Sequence, residues 1–200
     1  MVTPFSKHIS LWDQIENEHS LAEVLQKALQ SSGEGLSQMV GRPINIDVPK
    51  VRRVPLTQVV DQVGSPETEM VGIYMLIEGD WSGQVILMMT YSEALYLVDL
   101  LLDMPSGTTV QLEDLECSAL SEACNIMTSF FVDKVFALTG AASRPTPSAV
   151  MQDMLGAIMN VIVTPIASQS DSLLIMETAI SESSRVVLAN FWVLPYPKDY

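Results

Sequence analysis

A polar stripe on one predicted helix carries the residues whose types and spacing could do chemistry. The sequence predicts a long helix from about Asp114 to Leu138. At about 100° per residue, Ser118, Glu122 and Asn125 fall within an arc of roughly 60°. The stripe therefore combines a carboxylate and a carboxamide one turn apart. Asparagine is a weak helix former, so its presence in the middle of the helix indicates another role.

The stripe also has a plain structural interpretation. A polar side is what every amphipathic surface helix presents to solvent, so this spacing alone does not define an active site. We expect Glu122 and Asn125 to be accessible. On the other side of the helix, a pattern of apolar residues predicts a core face, formed by Leu120, Ala123, Cys124, Met127, Phe130 and Phe131. The residue pattern leaves both interpretations open.

A second amphipathic helix precedes this one. Apolar residues recur at helical spacing from Ser20 to Val40, and Gly41 followed by Pro43 is a common helix end. Between the two long helices, the pattern predicts an extended edge segment (42–56), a short helical turn (56–63), a β-hairpin turning at 78–80 and a helix over 91–102.

The order of elements then starts again. Gly140 follows Gly41 by 99 residues, Glu122 follows Glu23 by the same distance, and two apolar strands are predicted over 172–180 and 185–194. This repetition predicts an α+β domain with a pseudo-two-fold axis, a mostly antiparallel sheet and two long amphipathic helices. We expect a peripheral arm over 1–18 and a single domain over 19–200, made of half-repeats at about 19–104 and 113–200.

Composition restricts the partners. The chain has 24 acidic and 10 basic residues and a net charge of −14, which repels nucleic-acid phosphates and anionic lipids. The most apolar stretch, residues 150–163, is shorter than the roughly 20 residues that cross a bilayer. We therefore expect neither nucleic acid nor membrane as a partner.

Cysteine and histidine usage indicates a cytoplasmic protein with no cofactor of its own. Cys117 and Cys124 are two turns apart in the predicted helix, about 10 Å, and cannot form a disulfide there. The N-terminus lacks the apolar core of a signal peptide. No cluster has metal-ligand spacing, and no phosphate-binding glycine motif occurs, so we expect neither a metal nor a nucleotide site.

The stripe resembles the helix motif of the CheC/CheX/FliY chemotaxis phosphatases, and CheC most. In that family a long helix carries Asp or Ser, then three residues, a Glu, two residues and an Asn, and Ser118 to Asn125 matches without gaps. Residues 41–49 and 76–83 are similar to the edge segment and hairpin of CheC. The resemblance covers roughly residues 20–194.

This resemblance implies a protein phosphatase that hydrolyses the aspartyl phosphate of a phosphorylated CheY-type response regulator. Asn125 would orient the attacking water, Glu122 would dock with the regulator's phosphate-site lysine, and Ser118 would support the helix face. The only expected metal is Mg²⁺ in the pocket of the regulator. Phosphoryl transfer needs mainly positioning and charge neutralisation, so a carboxamide is chemically adequate.

The first long helix departs from the motif. Glu23 matches the family glutamate, but Gln26 stands where Asn is expected and His19 stands in the position of Ser118. The residues are compatible with a second, degenerate site at Glu23 and Gln26, or with a working one, since the longer glutamine can also orient water. We expect one good centre.

A different function remains open within the same family. The chain could be a non-catalytic CheC-like or flagellar-switch adaptor that binds the response regulator or a CheD-like partner, because a fold does not fix a function. The intact Ser118, Glu122 and Asn125 favour the phosphatase.

Overall fold

The structure, a computed structural model, describes residues 18–47, 50–167, 171–182 and 185–196. The arm predicted over 1–18 lies outside them except for its last residue. The helices in these ranges are α1 (Glu18–Val40), α2 (Val59–Val63), α3 (Tyr91–Leu101), α4 (Asp114–Thr139) and α5 (Leu155–Ala167). The strands are β1 (Asn45–Ile46), β2 (Lys50–Pro55), β3 (Glu69–Gly79), β4 (Gly83–Thr90), β5 (Ser143–Pro145), β6 (Ala149–Met154), β7 (Ser172–Glu182) and β8 (Arg185–Pro195).

These strands form one sheet in which every described pairing is antiparallel. The strand order is β1-β7-β8-β4-β3-β5, with β2 also paired to β7 and β6 also paired to β3. The hairpins β3–β4 and β7–β8 therefore lie at the centre. Each edge pair, β1 with β2 and β5 with β6, lies against the hairpin of the other half. The predicted α+β fold with an antiparallel sheet is confirmed.

The register of the sheet shows the pseudo-two-fold symmetry. Strand β2 begins at Lys50 and β6 begins at Ala149, which is 99 residues later. Lys50 pairs with Glu177 of β7, and Ala149 pairs with Tyr74 of β3 in the corresponding place. The offset read from the two long helices therefore extends to the edge strands.

Helices cover both faces of the sheet. Helices α1, α3 and α4 pack on one face around a core that includes Leu25, Leu29, Leu87, Leu97, Met127, Phe131 and Phe191. Helix α5 packs on the other face around Ile86, Met88, Ile158, Ile162 and Trp192. Because β4 is covered from both sides, it is buried continuously from Gly83 to Met89, without polar alternation.

Helix α5 was not predicted. The apolar stretch 150–163 divides into β6 and the first part of this helix, which is 13 residues long where its counterpart α2 has five. No helix in the described ranges is long and apolar enough to cross a membrane.

Side chains of α4 pack tightly against the backbone of α1. A Cβ atom at Gly35 of α1 would lie 2.7 Å from Cδ2 of Phe130 and 3.0 Å from Cγ2 of Ile126, so only glycine fits there. Three residues earlier, the Ser32 hydroxyl donates a hydrogen bond of 2.8 Å to the Met127 carbonyl oxygen. Helix α1 therefore fixes the middle of α4.

Candidate active site

Local interactions also fix the N-terminus of α4, the helix that carries the predicted site. A capping box closes its first turn, in which the Glu116 carboxylate accepts a hydrogen bond from the Glu113 backbone N–H at 3.0 Å. Just before it, the Leu112 N–H donates to the Tyr91 hydroxyl at 3.2 Å. At the other end, Gly140 takes a left-handed conformation with φ of 74° and ends the helix.

The loop that leads into α4 is held by Asp99, which is fully buried at the end of α3. Its carboxylate accepts hydrogen bonds from the backbone N–H groups of Gly107 (2.6 Å), Thr108 (3.1 Å) and Thr109 (2.8 Å). The Thr109 hydroxyl donates a fourth, at 2.6 Å. Burial alone raises the pKa of Asp99, but these hydrogen bonds outweigh it and hold the pKa below its usual value. We call this arrangement the Asp99 clamp.

The structure brings Ser118, Glu122 and Asn125 together along one shallow depression of about 400 Å³. Four further residues, which were not predicted as site residues, complete its lining: Asp114, Cys117, Ser121 and Val150. Asp114 and Ser121 lie one turn from predicted residues and could have been found from helical spacing, whereas Cys117 is the direct neighbour of Ser118 in the sequence. Val150 belongs to β6, and nothing in its local sequence signals that it meets this helix.

The accessibility of the helix matches the expectation in most respects. Glu122 and Ser118 are exposed, while Leu120, Cys124 and Met127 are fully buried. Asn125 is half-buried. The Ser118 hydroxyl donates to the Asp114 carbonyl oxygen at 2.6 Å, a bond within the helix.

The carboxamide of Asn125 is unusual because its Oδ1 atom is shielded from solvent yet accepts no hydrogen bond within the described part of the chain. A shielded acceptor without a partner is costly, and most such groups in folded proteins are satisfied. No hydrogen bond to Oδ1 from these residues holds the amide in its present orientation. Oδ1 is therefore an acceptor that a donor group of a water or a ligand could satisfy.

The depression is acidic. Asp114 and Glu122 contribute carboxylates, and the lining residues that the structure describes include no Lys, Arg or His. The pKa of the Cys117 thiol is raised, first by burial and then by the charges of Asp114 and Glu116, and burial raises the pKa of Cys124 to about 12. Both thiols are therefore protonated near neutral pH, which does not favour thiolate chemistry.

The corresponding residues of the first helix do not join this site. Glu23 is exposed, with its carboxylate 4.0 Å from the Lys27 ammonium, and Gln26 is half-buried. Neither lines the depression. The side chain of His19 lies outside the described part of the structure. Among the described residues, no group of three or more His, Cys, Asp or Glu could hold a metal ion.

Comparison with known proteins gives a consistent set of relatives. No protein-family profile matches the chain. CheC of Bacillus subtilis (strain 168), described as a CheY-P phosphatase, is 23% identical over 193 residues, which cover 94% of this chain and 92% of CheC.

Solved structures share the fold at low sequence identity. FliY of Thermotoga maritima has a TM-score of 0.73 and is 20% identical over 88% of each chain. A chain of the FliG–FliM complex from H. pylori has a TM-score of 0.61 at 11% identity, over 90% of this chain and 91% of that chain. A chain of the CheX–CheY–BeF3–Mg²⁺ complex from Borrelia burgdorferi has a TM-score of 0.51 at 17% identity, over 84% and 95%. The sequence similarity to CheC along nearly the whole chain, together with the fold shared with FliY and CheX, supports the CheC/CheX/FliY family for this protein.

Proposed function

We propose that this protein is a phosphatase that accelerates hydrolysis of the aspartyl phosphate of a CheY-type response regulator. The observation that carries the proposal is the Asn125 carboxamide, which lines the acidic depression and whose shielded Oδ1 accepts no hydrogen bond from the described residues. The name of its relative CheC supports the reaction, and the CheX–CheY complex supports the kind of partner.

In this mechanism Asn125 positions the attacking water. A carboxamide both donates and accepts hydrogen bonds, so it can hold a water in line with the phosphorus atom without acting as a base. Because phosphoryl transfer depends mainly on positioning and charge neutralisation, one such group contributes to the rate by fixing the geometry. Ser118, bonded to its own helix backbone, supports this face without touching the phosphate.

The charge of the depression favours a protein-bound phosphate over a free one. A small phosphate ester would meet the carboxylates of Asp114 and Glu122, and no cation among the described lining residues offsets them. A receiver domain brings Mg²⁺ and a lysine to its own aspartyl phosphate, so the positive charge comes with the substrate. In this mechanism Glu122, which is exposed on the same helix face as Asn125, pairs with that lysine.

The similarity to a chain of the FliG–FliM complex favours a second candidate, a non-catalytic adaptor that docks a response regulator or a CheD-like protein. An adaptor binds the regulator without shortening the lifetime of its phosphate. Turnover and binding must therefore be measured separately.

The test follows the decay of an aspartyl-phosphorylated CheY-type receiver with Mg²⁺, and separately the binding of the same receiver activated with beryllofluoride. We expect Asn125→Ala to lose most of the dephosphorylation while binding stays nearly unchanged, because the side chain acts in the transition state. We expect Glu122→Ala to weaken binding as well, since it removes a charge pair made before the chemical step.

Two control variants sharpen this test. Asn160→Ala removes an exposed asparagine from α5, on the opposite face of the sheet, and should change neither quantity. Gln26→Ala examines the first helix, where little change leaves Glu122 and Asn125 as the working centre. Full activity of Asn125→Ala with a loss in Gln26→Ala would overturn the site assignment. Intact binding without any acceleration of decay would instead identify an adaptor.

A further inference from the structure

The N-terminal end of α4 exposes apolar side chains next to the candidate site. Val110 is 78% exposed and Leu115 is 64% exposed, the two highest values among the large apolar residues that the structure describes. Leu115 lies in the first turn of α4, three residues before Ser118 and seven before Glu122, and therefore on the same side of the helix. Solvent exposure of such groups is unfavourable, so two of them beside a site indicate a contact surface.

Carboxylates surround these two apolar residues. Glu113 and Glu116 line a second depression of about 240 Å³ together with Val110, and Asp114 lines the candidate site itself. We call Val110, Glu113, Asp114, Leu115 and Glu116 the rim. The rim is continuous with the candidate site through Asp114 and the helix face.

All charged side chains of the rim are acidic, namely Glu113, Asp114 and Glu116. The sequence contains no Lys, Arg or His between Arg53 and Lys134, a stretch that includes the whole rim and the site. The rim therefore favours a partner that presents basic residues around an apolar patch, because like charges repel across an interface. Such a negative surface also attracts a basic partner over several ångströms at low ionic strength.

We propose that the rim is the docking surface for the response regulator on which the candidate site acts, with Leu115 as its apolar anchor and Val110 beside it. This inference rests on the proposed function for its occupant, a CheY-type receiver domain, and predicts that the contact face of that receiver is basic and apolar. The rim sets the affinity for the regulator. The water held by Asn125 sets the turnover. Leu115 is a specificity-determining residue with no part in the chemical step.

The test uses the full chain and a CheY-type receiver, activated with beryllofluoride and Mg²⁺ for binding and phosphorylated for turnover. We expect Leu115→Ala to raise Kd and KM about tenfold with kcat unchanged, since it removes most of one anchoring side chain. Val110→Ala should act in the same direction with a smaller effect. Alanine keeps the helix propensity of the first turn, so a changed far-UV spectrum is not expected.

A matched control is Val161→Ala, which truncates a 49% exposed valine on α5, on the other face of the sheet, and should leave Kd and KM unchanged. Raising the ionic strength should weaken binding of the unchanged protein, because carboxylates of the rim contribute. If Leu115→Ala and Val110→Ala bind and turn over like the unchanged protein, the rim is not the docking surface.

The outcomes separate this inference from the proposed function. If the unchanged protein binds the receiver without accelerating its dephosphorylation, and Leu115→Ala weakens this binding, the phosphatase proposal is wrong and the rim remains the docking surface. If Leu115→Ala has normal turnover and an unaltered KM, the rim is not the docking surface and the phosphatase proposal stands. Sedimentation adds a third outcome. A dimer of this chain that Leu115→Ala dissociates, with receiver binding unaffected, would make a second copy the occupant and overturn the proposal.

Discussion

Replacing Asp99 by Asn is expected to destabilise the protein by about 3 kcal/mol, since each hydrogen bond to a charged group contributes about 1.5–3 kcal/mol. Each of the two carboxylate oxygens of Asp99 accepts two hydrogen bonds. With its NH₂ group toward Gly107 and Thr108, the amide of Asn loses two hydrogen bonds from backbone N–H groups. With its NH₂ group toward Thr109, it loses the one from the backbone N–H, whereas the hydroxyl can rotate and accept. The negative charge, which strengthens every remaining bond, is lost in both orientations. The exposed backbone of Gly107 and Thr108 recovers part of the loss from water, whereas Thr109 is buried.

The assay is denaturant unfolding of the full chain, in which the midpoint should fall while the slope m stays constant. For a chain of this size, about 3 kcal/mol corresponds to a decrease in Tm of roughly 6–12 °C. The pH dependence gives an independent readout. Because the folded-state pKa of Asp99 is below its usual value, its contribution is complete above the unfolded pKa of about 3.9. That contribution is lost as pH falls through the lower folded-state pKa.

As pH falls below about 5, the free energy of unfolding of the Asp99→Asn variant should therefore decrease less steeply than that of the unchanged protein. Asp133→Asn, which changes an exposed acid on α4, is the matched control and should shift stability by less than about 0.5 kcal/mol. If the Asp99→Asn variant is as stable as this control and loses stability at low pH as steeply as the unchanged protein, the clamp is not a source of stability.

Other predictions concern packing and reactivity. Gly35→Ala should lower the free energy of unfolding by about 1–2 kcal/mol despite its better helix propensity, because its Cβ would meet the Phe130 ring at 2.7 Å, and chemical denaturation measures this. Gly79→Ala should cost about 2–4 kcal/mol, since φ is 140° and the new Cβ would lie 2.5 Å from a carbonyl oxygen, and a lowered Tm is the readout. Native protein should take up one N-ethylmaleimide at Cys117 and none at Cys124, which is fully buried with a pKa raised to about 12, as peptide mass spectrometry can establish.

Local sequence patterns predicted the fold well because they repeat. Helical periodicity and a helix-ending glycine located both long helices, and the 99-residue offset between Gly41 and Gly140 carries over to the edge strands. Helix α5 was missed because an apolar run of that length does not distinguish a strand from a buried helix. The candidate site was predicted only on its helical side. Val150 and Asp99 act through contacts between distant parts of the chain, and no local pattern reports such contacts.

Because the edge strands of each half pair with the hairpin of the other half, strand edges stay unpaired while the chain is being synthesised. As the nascent chain emerges, hairpin β3–β4 appears with both of its edges unpaired. One edge stays unpaired until β5, which begins at Ser143, and β6 have been made. The other edge stays unpaired until β8, which begins at Arg185, has been made. Strand β2 waits longer still, since Lys50 pairs with Glu177. Unpaired hydrophobic edges promote aggregation, so we expect a ribosome-bound fragment of this chain to be prone to aggregation until β7 and β8 are made.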